Sequence, residues 1–216
     1  MTEFDPACRR CSRLASFLQQ GRAQYPRYHC APVAAFGDPD PLLLVVGLAP
    51  GFHGANATGR PFTGDYAGVL LYATLHAFGW ASEPVSTARD DGLILRGARI
   101  TNAVKCVPPE NKPTTAEVAT CNPFLRRELQ ALRRESVVLA LGAIAHGAVL
   151  RAFELPAARL RFAHGAEHRL PEGRWLVDSY HCSRYNTNTR RLTTEMFQDV
   201  VGRATDLSRA ARPLGG

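Results

Sequence analysis

Four short runs rich in aliphatic residues punctuate this chain, and a segment of helical periodicity follows each. The runs are Leu42–Gly47, Ala98–Val104, Ser136–Gly142 and Arg174–His181; the helical patterns are Tyr66–Phe78, Thr115–Arg134, Ala143–Phe153 and Leu192–Arg209. Strands that alternate with helices imply a mainly parallel sheet covered on both faces, an α/β fold. In such a sheet all four strands point the same way, so the segments behind them emerge on one edge. Residues 130 apart in sequence can then line one pocket, at the carboxyl edge where open α/β folds place their ligands.

The segment behind the first run is the most unusual. A βα connection usually takes about 2–6 residues, yet GLAPGFHGANATGRPFTGD, Gly47–Asp65, runs to nineteen. Its five glycines let backbone amides approach a ligand. Phe52, Arg60, Phe62 and Asp65 within it argue against a disordered linker, so a binding site is expected here. Asn102–Lys112 follows the second run, Gly142–His146 the third and His181–Thr189 the fourth. Thr114 or Thr115 with Glu117 suits a helix start, and Pro123 is expected to restart or kink that helix. Residues 1–40 read as an arm or extra helix and 210–216 as a frayed tail, all within one domain spanning 1–216.

At 216 residues and 45% hydrophobic, the chain can bury one sizeable core. No run of 18 apolar residues is present, which argues against a membrane-spanning helix. The amino terminus, MTEFDPACRRC, lacks the apolar stretch of a signal peptide, so a cytoplasmic protein is expected. A net charge of +7 and a pI near 9.4 suit a polyanionic partner such as nucleic acid. Lysine occurs only at Lys105 and Lys112; the other basic residues are arginines. No G-x-G-x-x-G or G-x-x-x-x-G-K-[ST] follows a strand, which leaves a nucleotide-cofactor enzyme without its motif.

Cysteine usage narrows the field further. Cys8 and Cys11 form a C-x-x-C pair; Cys106 follows the second strand, and Cys121 comes after fourteen intervening residues. Cytosolic chains rarely use cysteines for structural disulfides, so this set points to a metal. A zinc ribbon would carry a second C-x-x-C. The irregular later spacing suits a 4Fe–4S cluster at least as well; zinc and unrelated thiols remain open on spacing alone. Cys30 and Cys182 are left over, Cys30 reading as a small buried hydrophobe.

Taken together, GLAPGFHGANATGRPFTGD, TNAVKCVPPENKPT and His181–Thr189 resemble the motifs of family 5 (type b) uracil-DNA glycosylases. That family is the iron–sulfur branch of the uracil-DNA glycosylase superfamily. The resemblance runs from Cys8 to about Thr194. It implies a three-layer α/β/α sandwich around a central four-stranded parallel sheet. It also implies a monomer acting on DNA that contains uracil or other deaminated bases, with a 4Fe–4S cluster held by Cys8, Cys11, Cys106 and Cys121.

The same resemblance assigns roles by motif position. The reaction takes a nucleotide out of the stack and hydrolyses its N-glycosidic bond, leaving an abasic site in base excision repair. Phe62 resembles the aromatic residue that stacks on the flipped base. His181 resembles the histidine that donates a hydrogen bond to uracil O2 as charge builds there. Asn102 reads the base edge or holds the attacking water, and Asp65 orients that water, offsets the positive sugar, or caps the following helix. Gly47, Ala49, Pro50 and Gly51 bring backbone close to the base. Ser183, Arg184, Tyr185 and Asn186 contact DNA, with Arg184 or Tyr185 filling the gap left in the duplex.

Two departures qualify this pattern. The second position of the first motif, polar in most branches, is Leu48 here, which marks the type b branch and shifts water handling to Asn102 and Asp65. The last motif, usually HPS, reads His181-Cys182-Ser183, which removes a fixed φ and leaves a looser wedge loop with a thiol beside the DNA. The branch accepts a roomier range, including hypoxanthine, xanthine and hydroxymethyluracil. A catalytically idle protein that recognises damaged DNA through the same pocket is the alternative.

Overall fold

The computed structural model describes residues 4–210. In chain order it contains α1 (Ser12–Gln24), β1 (Phe36–Gly37), β2 (Leu43–Gly47), α2 (Ala55–Thr58), α3 (Tyr66–Ala77), β3 (Ala98–Asn102) and α4 (Thr115–Gln130). It continues with β4 (Val137–Leu141), α5 (Ala143–Ala152), β5 (Glu167–Arg169), β6 (Trp175–Ser179), α6 (Arg184–Asn188) and α7 (Thr194–Ala210). One six-stranded sheet runs in the order β1-β3-β2-β4-β6-β5. Its four central strands are parallel, as expected, while β1 and β5 pair antiparallel at the two edges. Those edges are two and three residues long, too short for a period to show in sequence.

Alternation along each strand splits the core between the two faces, because successive side chains of a strand point opposite ways. Leu43, Val45, Ile100, Leu139 and Val177 meet Leu71 and Leu75 of α3 and Phe197, Val201 and Ala204 of α7. Leu44, Val46, Val138, Ala140 and Leu176 meet Leu125 and Leu129 of α4 and Ala145, Ala148 and Val149 of α5. Helix, sheet and helix therefore form three layers. A third cluster, Leu14, Val104, Cys121 and Phe124, docks α1 onto the end of β3 and onto α4.

Helix α4 starts on a capping box in which Thr114 and Glu117 exchange side-chain and backbone bonds. It passes through Pro123 without restarting. Glu117 also accepts from Arg13 at 2.7 and 2.8 Å, which ties α1 to α4. Lys105, 1% exposed, donates from Nζ to Thr101 Oγ1 and to both oxygens of Glu128, locking the end of β3 to α4. The segment 1–40, expected to be an arm or extra helix, carries the 13-residue helix α1 followed by irregular chain and β1. Ala210, placed in a frayed tail by the sequence, still belongs to α7, and 211–216 lie outside the described residues. Among the described residues no helix is long and apolar enough to cross a membrane.

Candidate active site

The strand order places β2 beside β4, with the chain leaving β2 toward β3 on one side and β4 leading to β6 on the other. This reversal opens a crevice at the carboxyl ends. A cleft of about 490 Å³ lies there, and all four post-strand segments contribute to it. Leu48, Ala49, Gly51, Phe62 and Asp65 come from the first, Asn102 and Asn111 from the second, Gly142–Ile144 from the third, and His181, Ser183 and Arg184 from the fourth. A groove of comparable size, about 570 Å³, lies between the amino-terminal arm and the Cys30 turn, away from these strand ends.

The nineteen-residue loop is ordered by its own side chains. Phe52 packs in an aromatic cluster with Phe17, Tyr25, Tyr28 and His53. Arg60, 3% exposed, donates to Asp91 at 2.7 Å and to Ser86 at 2.9 Å, and it lies over the Phe36 ring. The salt bridge and several backbone donors hold Asp91 down at about 2 against its partial burial. These anchors let the loop carry Phe62 at φ +54°, a conformation costly for a bulky side chain and characteristic of functional sites. Phe62 is 6% exposed, and its ring stacks toward that of His181 at a centroid distance of 5.9 Å and 27° between planes.

Gly47 explains how the wall fits together. A Cβ at this position would come within 2.6 Å of two Phe62 ring atoms and closer still to Asn102 Oδ1. Only glycine lets the end of β2 pass between them. Asn102 is 3% exposed, and its buried Oδ1 has no hydrogen-bond partner. An unmade bond on a buried acceptor is costly, so this oxygen is prepared for a donor that arrives with a ligand or water. Ala49 and Gly51 line the cleft, whereas Pro50 is buried away from it and Gly47 supports it from behind.

Asp65 does two jobs at once. Its Oδ1 accepts the Gly68 N–H at 2.9 Å and caps α3, while Oδ2 faces the Gly51–Gly54 turn at the cleft wall. Burial raises its pKa, and the backbone donors Gly68 and Ala67 oppose that rise. The cap anticipated as an alternative to chemistry is therefore present alongside the cleft position. A Cβ at Gly54 would collide with Asp65, so the loop glycines admit the carboxylate to this wall.

His181 is half-buried, and desolvation pushes its pKa down to about 4. The imidazole is therefore neutral at neutral pH, with one N–H to give. Behind it, Asn186 donates from Nδ2 to the His181 carbonyl at 2.8 Å, and Ser183 caps α6 through the Asn186 N–H. The stretch expected to be a loose wedge loop is thus a short capped helix. Cys182 is wholly buried in the core beneath it, and burial raises its thiol far above the usual range. The thiol conceivable beside the DNA from sequence is therefore packed inside the core instead.

The rim is apolar and exposed. Tyr66 and Ile144 line the mouth and stand 40% and 46% exposed, and Tyr185 on the first turn of α6 stands 71% exposed. Arg184 lies over the Tyr66 ring at 5.0 Å, so its guanidinium is partly committed to the protein. Sequence reading did not single out Tyr66, Asn111 or Ile144. Their only signal was position: Asn111 and Ile144 fall in post-strand segments, and Tyr66 directly follows the first of them as the opening residue of α3.

The four cysteines singled out by spacing converge although they span 113 positions of sequence. Cys8, Cys11 and Cys106 pack against the cluster that contains Cys121, and all four line one small cavity. Burial first, then the facing Cys121, Cys8 and Cys11, push Cys106 up to about 12. Cys121 accepts the Lys105 N–H at 3.3 Å. Among the described residues the one group gathered tightly enough to hold a metal ion is His146, His168 and Asp178; the cysteines do not form such a group.

A doubly wound sheet with an aromatic floor and a neutral imidazole at its switch point defines an α/β/α protein with its cleft at the carboxyl ends of the parallel strands. Comparison with known proteins agrees. Residues 34–204 match the model of the uracil DNA glycosylase superfamily. A type-5 uracil-DNA glycosylase of Thermus thermophilus is 47% identical over 207 residues, with 94% of each chain covered. Those of Pyrobaculum aerophilum and Mycobacterium tuberculosis are 44% and 41% identical, covering 91% and 93% of this chain and 87% and 78% of their own. The chain belongs to the uracil-DNA glycosylase superfamily, in its type-5 branch.

Proposed function

We propose that this chain is a uracil-DNA glycosylase of base excision repair. The observation that carries the proposal is the meeting of Phe62, His181 and the unpartnered Asn102 Oδ1 in one cleft. In this reading Phe62 supports the flipped base and His181 donates its N–H to uracil O2. The N1–C1′ bond breaks, its electron pair leaves with the uracil anion, and water adds at C1′. Asn102 and Asp65 orient that water, because Leu48 cannot. The rim bears on DNA, with Tyr185 rather than Arg184 filling the vacated stack, since Arg184 already rests on Tyr66. Other deaminated or oxidised bases, namely hypoxanthine, xanthine and hydroxymethyluracil, are included in the proposed range.

The cysteine quartet is proposed to hold a 4Fe–4S cluster. The four thiols line one shared cavity and supply the four-cysteine donor set that such a cluster requires. When bound, it contributes folding free energy by tying α1 to the end of β3 and to α4.

The test is a cleavage assay across duplexes bearing uracil, hypoxanthine, xanthine and hydroxymethyluracil, with abasic sites as the readout. Release of uracil is expected. Tight binding without base release would overturn the enzyme reading in favour of a damage-binding protein.

A further inference from the structure

Behind the cleft, on the α5 face of the sheet, three potential metal ligands meet in the interior. His146 of α5, His168 of β5 and Asp178 of β6 bring their ligand atoms within 4.8 Å of one another. Asp178 is 0% exposed, and it faces both rings: His146 Nδ1 lies 2.8 Å from Oδ1, and His168 Nε2 lies 3.2 Å from Oδ2. The glycosylase reaction uses none of these groups, and neither the cysteine quartet nor the cleft includes them.

The tautomer of His146 is decided by its other nitrogen. Nε2 lies 2.9 Å from the Leu160 carbonyl, which can only accept, so Nε2 carries a proton. A metal-bound histidine is oriented this way, its second N–H fixed on a carbonyl so that the remaining nitrogen faces the ion. Were His146 neutral, its Nδ1 lone pair would point at a carboxylate oxygen that also has only lone pairs. A positive charge belongs in that gap. Two imidazoles and a carboxylate form a ligand set suited to a borderline divalent metal. With bonds of about 2.0–2.2 Å, tetrahedral ligand atoms stand roughly 3.3–3.4 Å apart. The 2.8 and 3.2 Å contacts fall on different oxygens of Asp178, so the carboxylate must turn to offer its oxygens to one shared ion while both contacts open by a few tenths of an ångström.

We propose that His146, His168 and Asp178 form a second metal site, separate from the cysteines, that takes one zinc-like divalent cation. The cation pins the carboxyl end of β6 to α5 and β5, three residues before His181. A water entering past half-buried His168 completes the coordination.

The experiment uses the full chain, purified with the iron of the proposed cysteine-bound cluster retained. Protein is incubated with Zn²⁺, dialysed, and its iron and zinc counted separately, beside a His168→Ala variant. Parallel samples are loaded with Co²⁺, whose spectrum distinguishes nitrogen and oxygen ligands from thiolates. The expected result is about one retained zinc per chain, held by three protein ligands and a water, its loss in His168→Ala with iron unchanged, and cobalt absorption lacking thiolate charge transfer. Asp178→Asn, if it folds, should lose zinc as well. Wild-type protein that retains no more zinc than His168→Ala would overturn the site and leave a proton in the gap. Cobalt bands of thiolate character would overturn it equally.

Discussion

At the scale of single residues, the cleft depends on groups held in states they would not adopt in water. His181 is the clearest case. Its pKa falls from 6.5 to about 4 on burial, so the folded chain binds fewer protons there than the unfolded chain between those values. This group therefore lowers stability as pH drops from about 6.5 toward 4, and it stays a neutral donor across that window. Excision measured against pH should show no limb centred near 6.5; a limb there would mean the imidazole titrates as it does in water. Replacing His181 by Ala should slow excision on the order of 10²–10³-fold, as for one lost preorganised donor, while abasic-site binding is kept. Gly47→Ala should be nearly as damaging, because its Cβ must displace the Phe62 ring or the Asn102 amide. A crystal structure or a uracil titration of that variant would show an altered cleft on an intact sheet.

At the scale of elements, helix α3 and the chemistry share Asp65, and two substitutions separate the roles. Asparagine caps as well as aspartate, so Asp65→Asn should keep the melting temperature while excision falls on the order of 10²-fold. Asp65→Ala should also lose about 0.5–2 kcal/mol of stability through the missing cap, read by denaturant unfolding. Equal activity in the asparagine variant would reduce Asp65 to a cap. The elements themselves were largely legible in the sequence. Runs such as Leu42–Gly47 and the capping pair Thr114 and Glu117 carry local physics, and their bounds moved by only a few residues. The edge strands β1 and β5 were not legible, because two or three residues hold no period and their pairing comes from neighbours distant in sequence. Helix α6 was missed for a similar reason: five polar residues after His181 read as loop until Ser183 is seen capping them. Within the site, Phe62, Asn102, Asp65 and His181 could be named from motif order. The burial of Cys182 and the contribution of Tyr66 and Ile144 could not, since both depend on how α3, α5 and α6 pack.

At the scale of the whole molecule, charge and the amino-terminal docking set the remaining expectations. A chain of net charge +7 that grips phosphates should lose DNA affinity linearly in log salt, with a slope near −0.9 per phosphate contacted. A flat salt response would locate recognition in the base pocket alone. Cys106→Ser should lower the melting temperature and loosen α1, seen as earlier proteolysis between residues 4 and 24, if the quartet braces the fold as proposed.

That docking also imposes an order on synthesis. Arg13 bonds to Glu117 across 104 positions of chain, so α1 leaves the ribosome well before the surface that receives it. A nascent chain must therefore carry α1 undocked until two central strands and the start of α4 have emerged, so a helix made before the sheet waits for the sheet before it finds its place.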